Sequence, residues 1–173
     1  MGGERAVLVA YTDTSVIVAA LDPSDPRCEK ARSLLEGSGY RVVSELTLVE
    51  LASLISRRGE LLSRLASAIG AEEEPTLSAA LLYLLKRFNL KYRPVEHRSS
   101  ATALGRAGVV AATTLSFASY LKLKSLNLLH AAYARLLVEQ GEPISVIETA
   151  DREFWGRREE IREALGLRVT LIE

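Results

Sequence analysis

Three carboxylates, Asp13, Glu50 and Asp151, occupy matching places in the chain, each following a short apolar run of strand character. The run Ala6-Val7-Leu8-Val9-Ala10-Tyr11 leads to Asp13, and Thr14, Ser15 and a second apolar stretch follow it. This is the pattern of a buried strand that delivers an acid to its C-terminal end, the edge at which open α/β sheets bind their ligands. Asn127 stands where a fourth acid is expected. Carboxylates gathered in a poorly solvated cleft repel one another unless a divalent cation neutralises them. Oxygen donors with neither His nor Cys among them suit Mg2+ or Mn2+ better than zinc. Such ions promote phosphodiester hydrolysis by lowering the pKa of a bound water and offsetting charge on phosphate. The amide oxygen of Asn127 can also coordinate a hard cation, with one negative charge fewer than an aspartate.

Taken singly, each of these residues has a structural alternative. Asp13, Asp151 and Asn127 are good helix N-caps, and Thr47-Leu48-Val49-Glu50 matches a capping box. Glu45 is either an accessory acid or a solvated residue. His130 falls in a helix rich in Leu and Ala and reads as a packed or capped histidine before a general base, while His97 reads as surface. Arg57, Arg58, Lys122, Lys124 and Arg152 flank the acids and could neutralise backbone phosphates, which positions a strand without reading its sequence. Tyr11, Phe154 and Trp155 are candidates for base stacking, with burial the expected fate of Phe154 and Trp155.

The elements that must position these groups alternate along the chain. Strands are expected over 6–11, 41–44, 91–95, 144–148 and 168–172, separated by longer helical patterns, which gives an α/β class with a mostly parallel five-stranded sheet. Helices are expected over 15–21, 27–35 and 47–58, then over 60–69 and 76–88 as a helical arm. Further helices are expected over 99–121, with a break at Gly105 or Gly108, and over 128–139 and 157–165. No repeat or linker divides residues 1–173, so one domain is expected.

Composition narrows the partners. Twenty-two basic and twenty-two acidic residues cancel, so nucleic acid would have to be held by a local patch and not by a global field. The single Cys28 excludes an internal disulfide and a cysteine metal cluster. Met1-Gly-Gly-Glu-Arg lacks the basic start and long apolar core of a signal peptide. The uncharged stretch from Ala107 to Leu121 is too short and too rich in Ser and Thr to span a bilayer. A cytoplasmic location is therefore expected.

The segments Tyr11-Thr-Asp13-Thr-Ser-Val-Ile-Val, Val43-Ser-Glu-Leu-Thr-Leu-Val-Glu50-Leu-Ala, Leu126-Asn127-Leu-Leu-His130-Ala-Ala-Tyr-Ala and Glu148-Thr-Ala-Asp151-Arg-Glu-Phe154 resemble, in order, the four motifs of the PIN-domain family. The resemblance implies a three-layer α/β/α sandwich whose sheet carries an acidic pocket for one or two Mg2+ or Mn2+ ions. Many members are endoribonucleases acting on single-stranded RNA, and small stand-alone members are often VapC-like toxins restrained by a VapB-like antitoxin. Carried over, Asp13, Glu50 and Asp151 match three acids of the family and Asn127 replaces the remaining one. Thr14 or Ser15, and Thr149, would sit beside metal or phosphate; Arg57 and Arg152, from their places beside the acids, are further candidates for phosphate contact. The expectation is a metal-dependent endoribonuclease, the toxin of a toxin–antitoxin pair, with the 60–88 arm serving a homodimer or the antitoxin. The alternative is a catalytically impaired RNA- or protein-binding relative, because of Asn127.

Overall fold

The computed structural model describes residues 9–58, 63, 67, 70 and 72–173. Its centre is β1, Val9–Thr12, whose four residues are all buried. A strand with both faces covered has no polar side to present to water, which is why its sequence is a continuous apolar run instead of an alternating one. On one side β1 pairs with β2 (Tyr40–Val43), and β2 with β3 (Leu90–Tyr92); on the other it pairs with β6 (Val146–Thr149), and β6 with β7 (Arg168–Leu171). All four pairings are parallel, in the order β3-β2-β1-β6-β7. The chain thus runs outward from β1 in one direction, then returns to fill the other side. The reversal lies between β1 and β6, the switch point beside which α/β sheets open a crevice.

Helices cover both faces. On one side lie α1 (Thr14–Leu21), α2 (Cys28–Glu36), α3 (Glu45–Ser56) and α4 (Glu73–Arg87), packed on Val43, Leu90 and Ile172 through Val16, Ile17, Ala31, Leu35, Leu51 and Leu84. On the other lie α5 (Val109–Leu121), α6 (Ser125–Glu139) and α8 (Arg158–Leu165), packed on Val9, Tyr11, Val42, Ile147 and Val169. A short α7 (Arg152–Gly156) follows β6 and buries Phe154 in this second core. Neighbouring strand residues such as Val42 and Val43 serve opposite cores because side chains alternate across a strand. The expected three-layer arrangement around a parallel five-stranded sheet is the observed one.

One expected helix is replaced by strand. Residues 99–108, expected as helix, form an antiparallel hairpin of β4 (Ser99–Thr102) and β5 (Gly105–Gly108), and the helix begins only at Val109. The local cause is turn chemistry: Thr102 Oγ1 accepts from the Leu104 amide at 3.1 Å and donates to the Gly105 carbonyl at 2.8 Å, and Gly105 takes a φ of 107° that suits glycine. The expected helix over 60–69 lies, except for residues 63 and 67, outside the described residues, as do residues 6–8 of the first expected strand.

Candidate functional site

Asp13 is the residue between β1 and α1. Its amide donates to the Glu148 carbonyl at 3.0 Å, extending the ladder to β6, and its Oδ1 accepts from the Ser15 amide at 3.4 Å as the cap of α1. Its Oδ2 receives the hydroxyls of Ser15 and Thr149, each at 2.7 Å. Capping therefore uses one oxygen lightly while the carboxylate as a whole is aimed at the β1/β6 crevice.

Glu50 reaches the same place from α3. That helix starts at Glu45 behind Ser44, two residues earlier than expected, so Thr47 lies inside its first turn and the expected capping box does not form. Glu50 Oε2 instead accepts from Thr14 Oγ1 at 2.5 Å and lies 2.8 Å from Nε2 of His130. His130 Nε2 also stands 3.2 Å from Asp13 Oδ1. One donor atom each from Asp13, Glu50 and His130 thus falls within 4.8 Å of the others. Burial opposes ionisation of Glu50, but the hydrogen bonds from His130 and Thr14 and the nearby imidazole hold its carboxyl below the usual glutamate range.

The far side of the imidazole is equally ordered. His130 Nδ1 lies 2.7 Å from the Tyr11 hydroxyl, which lies 2.8 Å from Ser44 Oγ, and all three residues are buried. Two carboxylates facing Nε2 can only accept, so Nε2 carries a proton and Nδ1 takes the hydroxyl hydrogen of Tyr11 when the ring is neutral. Burial pushes the Tyr11 phenol well above its ordinary range, so it stays an O–H.

Asp151 caps α7 by accepting from the Glu153 amide at 2.7 Å. Its other oxygen receives the side-chain amide of Asn127 at 2.9 Å. Thr149 connects the two halves of the crevice: its hydroxyl donates to Asp13 and accepts from the Asp151 amide at 3.0 Å. Asp151 and Asn127 therefore form a pair beside the Asp13–Glu50–His130 group. Asn127 is also not a helix cap, because α6 begins at Ser125 and places it in the first turn.

The structure puts most other candidates in plain roles. Thr14, Ser15 and Thr149 hold the acids by hydrogen bonds. Glu45 accepts from the Val95 amide at 2.9 Å and ties α3 to the segment after β3. Arg57 and Arg152 are exposed, while Lys124 pairs with Glu153 at 2.8 Å. Tyr11 is wholly buried and cannot stack on a base; Trp155 is partly exposed, with the Arg158 guanidinium over its ring. Arg27, which sequence reasoning did not single out, donates to the Ala150 carbonyl at 2.5 Å while Asp25 grips its guanidinium, fixing the turn before Asp151.

His130 is the main difference from the sequence expectation. Its signal was its spacing: Asn127 and His130, three residues apart, share a helix face otherwise given to Leu and Ala. The donor set also fits a small dication. Adjacent ligands at bond lengths of about 2.0–2.2 Å lie about 3 Å apart, and the two distances from Nε2, 2.8 and 3.2 Å, match that spacing.

Solved structures with this fold include a chain of VapBC2 from Rickettsia felis, bound in its crystal to a DNA fragment from the promoter. It is 13% identical, with a TM-score of 0.55 over 96% of this chain and 100% of that one. VapC20 of Mycobacterium tuberculosis, described as a toxin cleaving the sarcin-ricin loop, is 16% identical with a TM-score of 0.51 over 85% and 93%. A chain of VapBC-1 from nontypeable Haemophilus influenzae is 16% identical with a TM-score of 0.50 over 95% and 98%. No curated protein matches the sequence. The family model described as PIN domain matches residues 10–160, which spans β1 to α8 and takes in all four expected motifs, and the chain belongs to the PIN domain family.

Proposed function

We propose that the protein is a divalent-metal-dependent endoribonuclease that cleaves single-stranded RNA, acting in the cytoplasm as the toxin of a toxin–antitoxin pair. The observation that carries this reading is the convergence of Asp13, Glu50 and His130 at the β1/β6 crevice of a PIN-family chain, with Asp151 alongside. A Mg2+ or Mn2+ ion held there would supply an acidified water and charge neutralisation at the phosphate. Asp13 and Glu50 would be its carboxylate ligands, and Thr14, Ser15 and Thr149 would keep those carboxylates aimed and ionised. Asp151 and Asn127 would complete the cleft as further ligands or as contacts to the substrate side. Arg57 and Arg152, both exposed, would meet backbone phosphates. A VapB-like antitoxin is the partner in keeping with the VapBC neighbours, and exposed Leu82 and Tyr83 on α4 would serve that antitoxin or a second copy in a homodimer.

A second reading, a PIN-fold binding module that holds RNA or protein without cutting, is favoured by one observation. Neither Asn127 nor His130 on α6 supplies the carboxylate the family usually has there. Cleavage of a labelled single-stranded RNA, run with Mn2+, with Mg2+ and with EDTA, separates the two. The nuclease reading expects wild-type activity that EDTA removes and that Asp13→Asn lowers by about 100-fold or more, beyond the loss typical of changes to outer partners of a metal site. RNA that is bound but never cut, with cleavage emerging only in Asn127→Asp, selects the binding module.

A further inference from the structure

We propose that His130 is itself a ligand of this site, and that its nitrogen makes the Asp13–Glu50–His130 group take a transition-metal dication of the manganese-to-zinc series in preference to magnesium. This rests on the reading that the group holds a divalent ion. Oxygen donors alone would suit a hard ion; the structure adds a buried imidazole whose Nε2 faces both acids at 2.8 and 3.2 Å. Imidazole is a good donor to manganese through zinc and a poor one to magnesium, which keeps oxygen ligands and water.

Three features beyond proximity support a ligand over a merely packed histidine. First, Nδ1 has a partner of the kind that orients a metal-bound ring, the Tyr11 hydroxyl at 2.7 Å. Second, that partner works for either tautomer. When Nε2 bears the proton, Tyr11 donates to Nδ1. When Nε2 offers its lone pair to an ion, the proton sits on Nδ1, Tyr11 accepts it, and the phenol hydrogen turns to Ser44 Oγ at 2.8 Å. Third, the charge balances: two carboxylates with a neutral imidazole carry two negative charges, which one dication cancels. Glu50, with 19% of its side chain exposed against 5% for Asp13 and 1% for His130, is the side from which an ion would enter.

The test is a titration of the full chain with Zn2+ and with Mg2+, followed by the 15N resonances of the His130 ring and by calorimetry, on wild type and on His130→Asp. The expected result is that Zn2+ moves the Nε2 resonance to a metal-bound position while Mg2+ does not. The zinc-over-magnesium affinity ratio should then fall by about 10–100-fold or more in His130→Asp, whose donors are all oxygen. Zinc binding that leaves Nε2 unmoved, or a ratio unchanged in His130→Asp, overturns the proposal. If that result comes with metal-dependent RNA cleavage, the nuclease reading stands and only the ligand assignment falls. Failure of the wild type to bind any of these ions overturns both.

Discussion

Removing one oxygen atom probes the network behind the site. In Tyr11→Phe, His130 Nδ1 loses its partner, and Ser44 Oγ loses its contact, in a place water does not reach. An outer partner of this kind is worth about 10–100-fold in metal affinity, and a buried polar group left unpaired costs about 1–3 kcal/mol of stability. Calorimetric titration with Zn2+ should show the first loss and thermal unfolding the second. If Tyr11 only fills space, stability falls while affinity holds. Asp13 was legible in the sequence because it lies just beyond a strand, where sheet geometry predicts a ligand site, whereas Glu50 reaches that place from the second turn of the helix that follows β2. His130 was not legible, since one histidine among leucines and alanines has the same pattern whether it is packed or faces a cleft. What separates the two is contact with residues 80 and more positions away, Glu50 and Asp13, and no local pattern encodes that. Asn127 illustrates the converse: it was legible as a polar residue at the start of α6, but its partner, Asp151, emerged only when β6 and α6 were brought together.

Between the elements, a buried ion pair joins Arg41 on β2 and Glu148 on β6, which meet at 3.0 Å across β1. Thr12 Oγ1 donates to the same Glu148 oxygen at 3.0 Å, so all three central strands share one carboxylate. Gly39 makes room for the arrangement, because a Cβ there would stand 3.0 Å from the Arg41 guanidinium. Arg41→Met leaves Glu148 buried with only Thr12 and is expected to cost about 3–5 kcal/mol in urea unfolding. The double variant Arg41→Met/Glu148→Leu removes both charges and should regain most of that loss. Equal destabilisation in single and double variants would mean that packing, not the uncompensated charge, sets the cost. Elements of this central sheet were readable from apolar runs and their spacing. The β4–β5 hairpin was not: its Ala, Leu and Arg content passes for helix, and a two-residue turn closed by Thr102 and Gly105 decides otherwise.

At the scale of the molecule, both helical layers leave open concave surface among the described residues. Between α5 and α6 a cavity of about 700 Å³ is lined by Val95, Val109, Val110, Leu129 and Tyr133 among others, and on the other side α1, α3 and α4 leave a more apolar groove of about 310 Å³ lined by Val18, Leu21, Leu51, Leu54, Ile55 and Tyr83 among others. Nearby, Leu82 and Val49 are about two-thirds exposed, at 67% and 65%. Apolar surface of this kind, rimmed by Asp22 and Arg58, fits an amphipathic helix laid into a groove, the mode in which a short segment of an antitoxin would bind. Asp13 and Asp151 follow β1 and β6 and Glu50 turns toward them from α3, whereas Ala80 reaches the groove from α4, so a change at Ala80 should separate restraint from catalysis. Ala80→Arg places a long cation among the groove's apolar side chains and should weaken capture of the proposed VapB-like antitoxin by about 10-fold or more, since a buried unpaired charge costs more than a lost contact. RNA cleavage by the free protein should be unchanged, and so should its sedimentation. If Ala80→Arg instead converts a dimer to a monomer and leaves antitoxin binding intact, the groove is where two copies of this chain meet, and restraint has to act through another face.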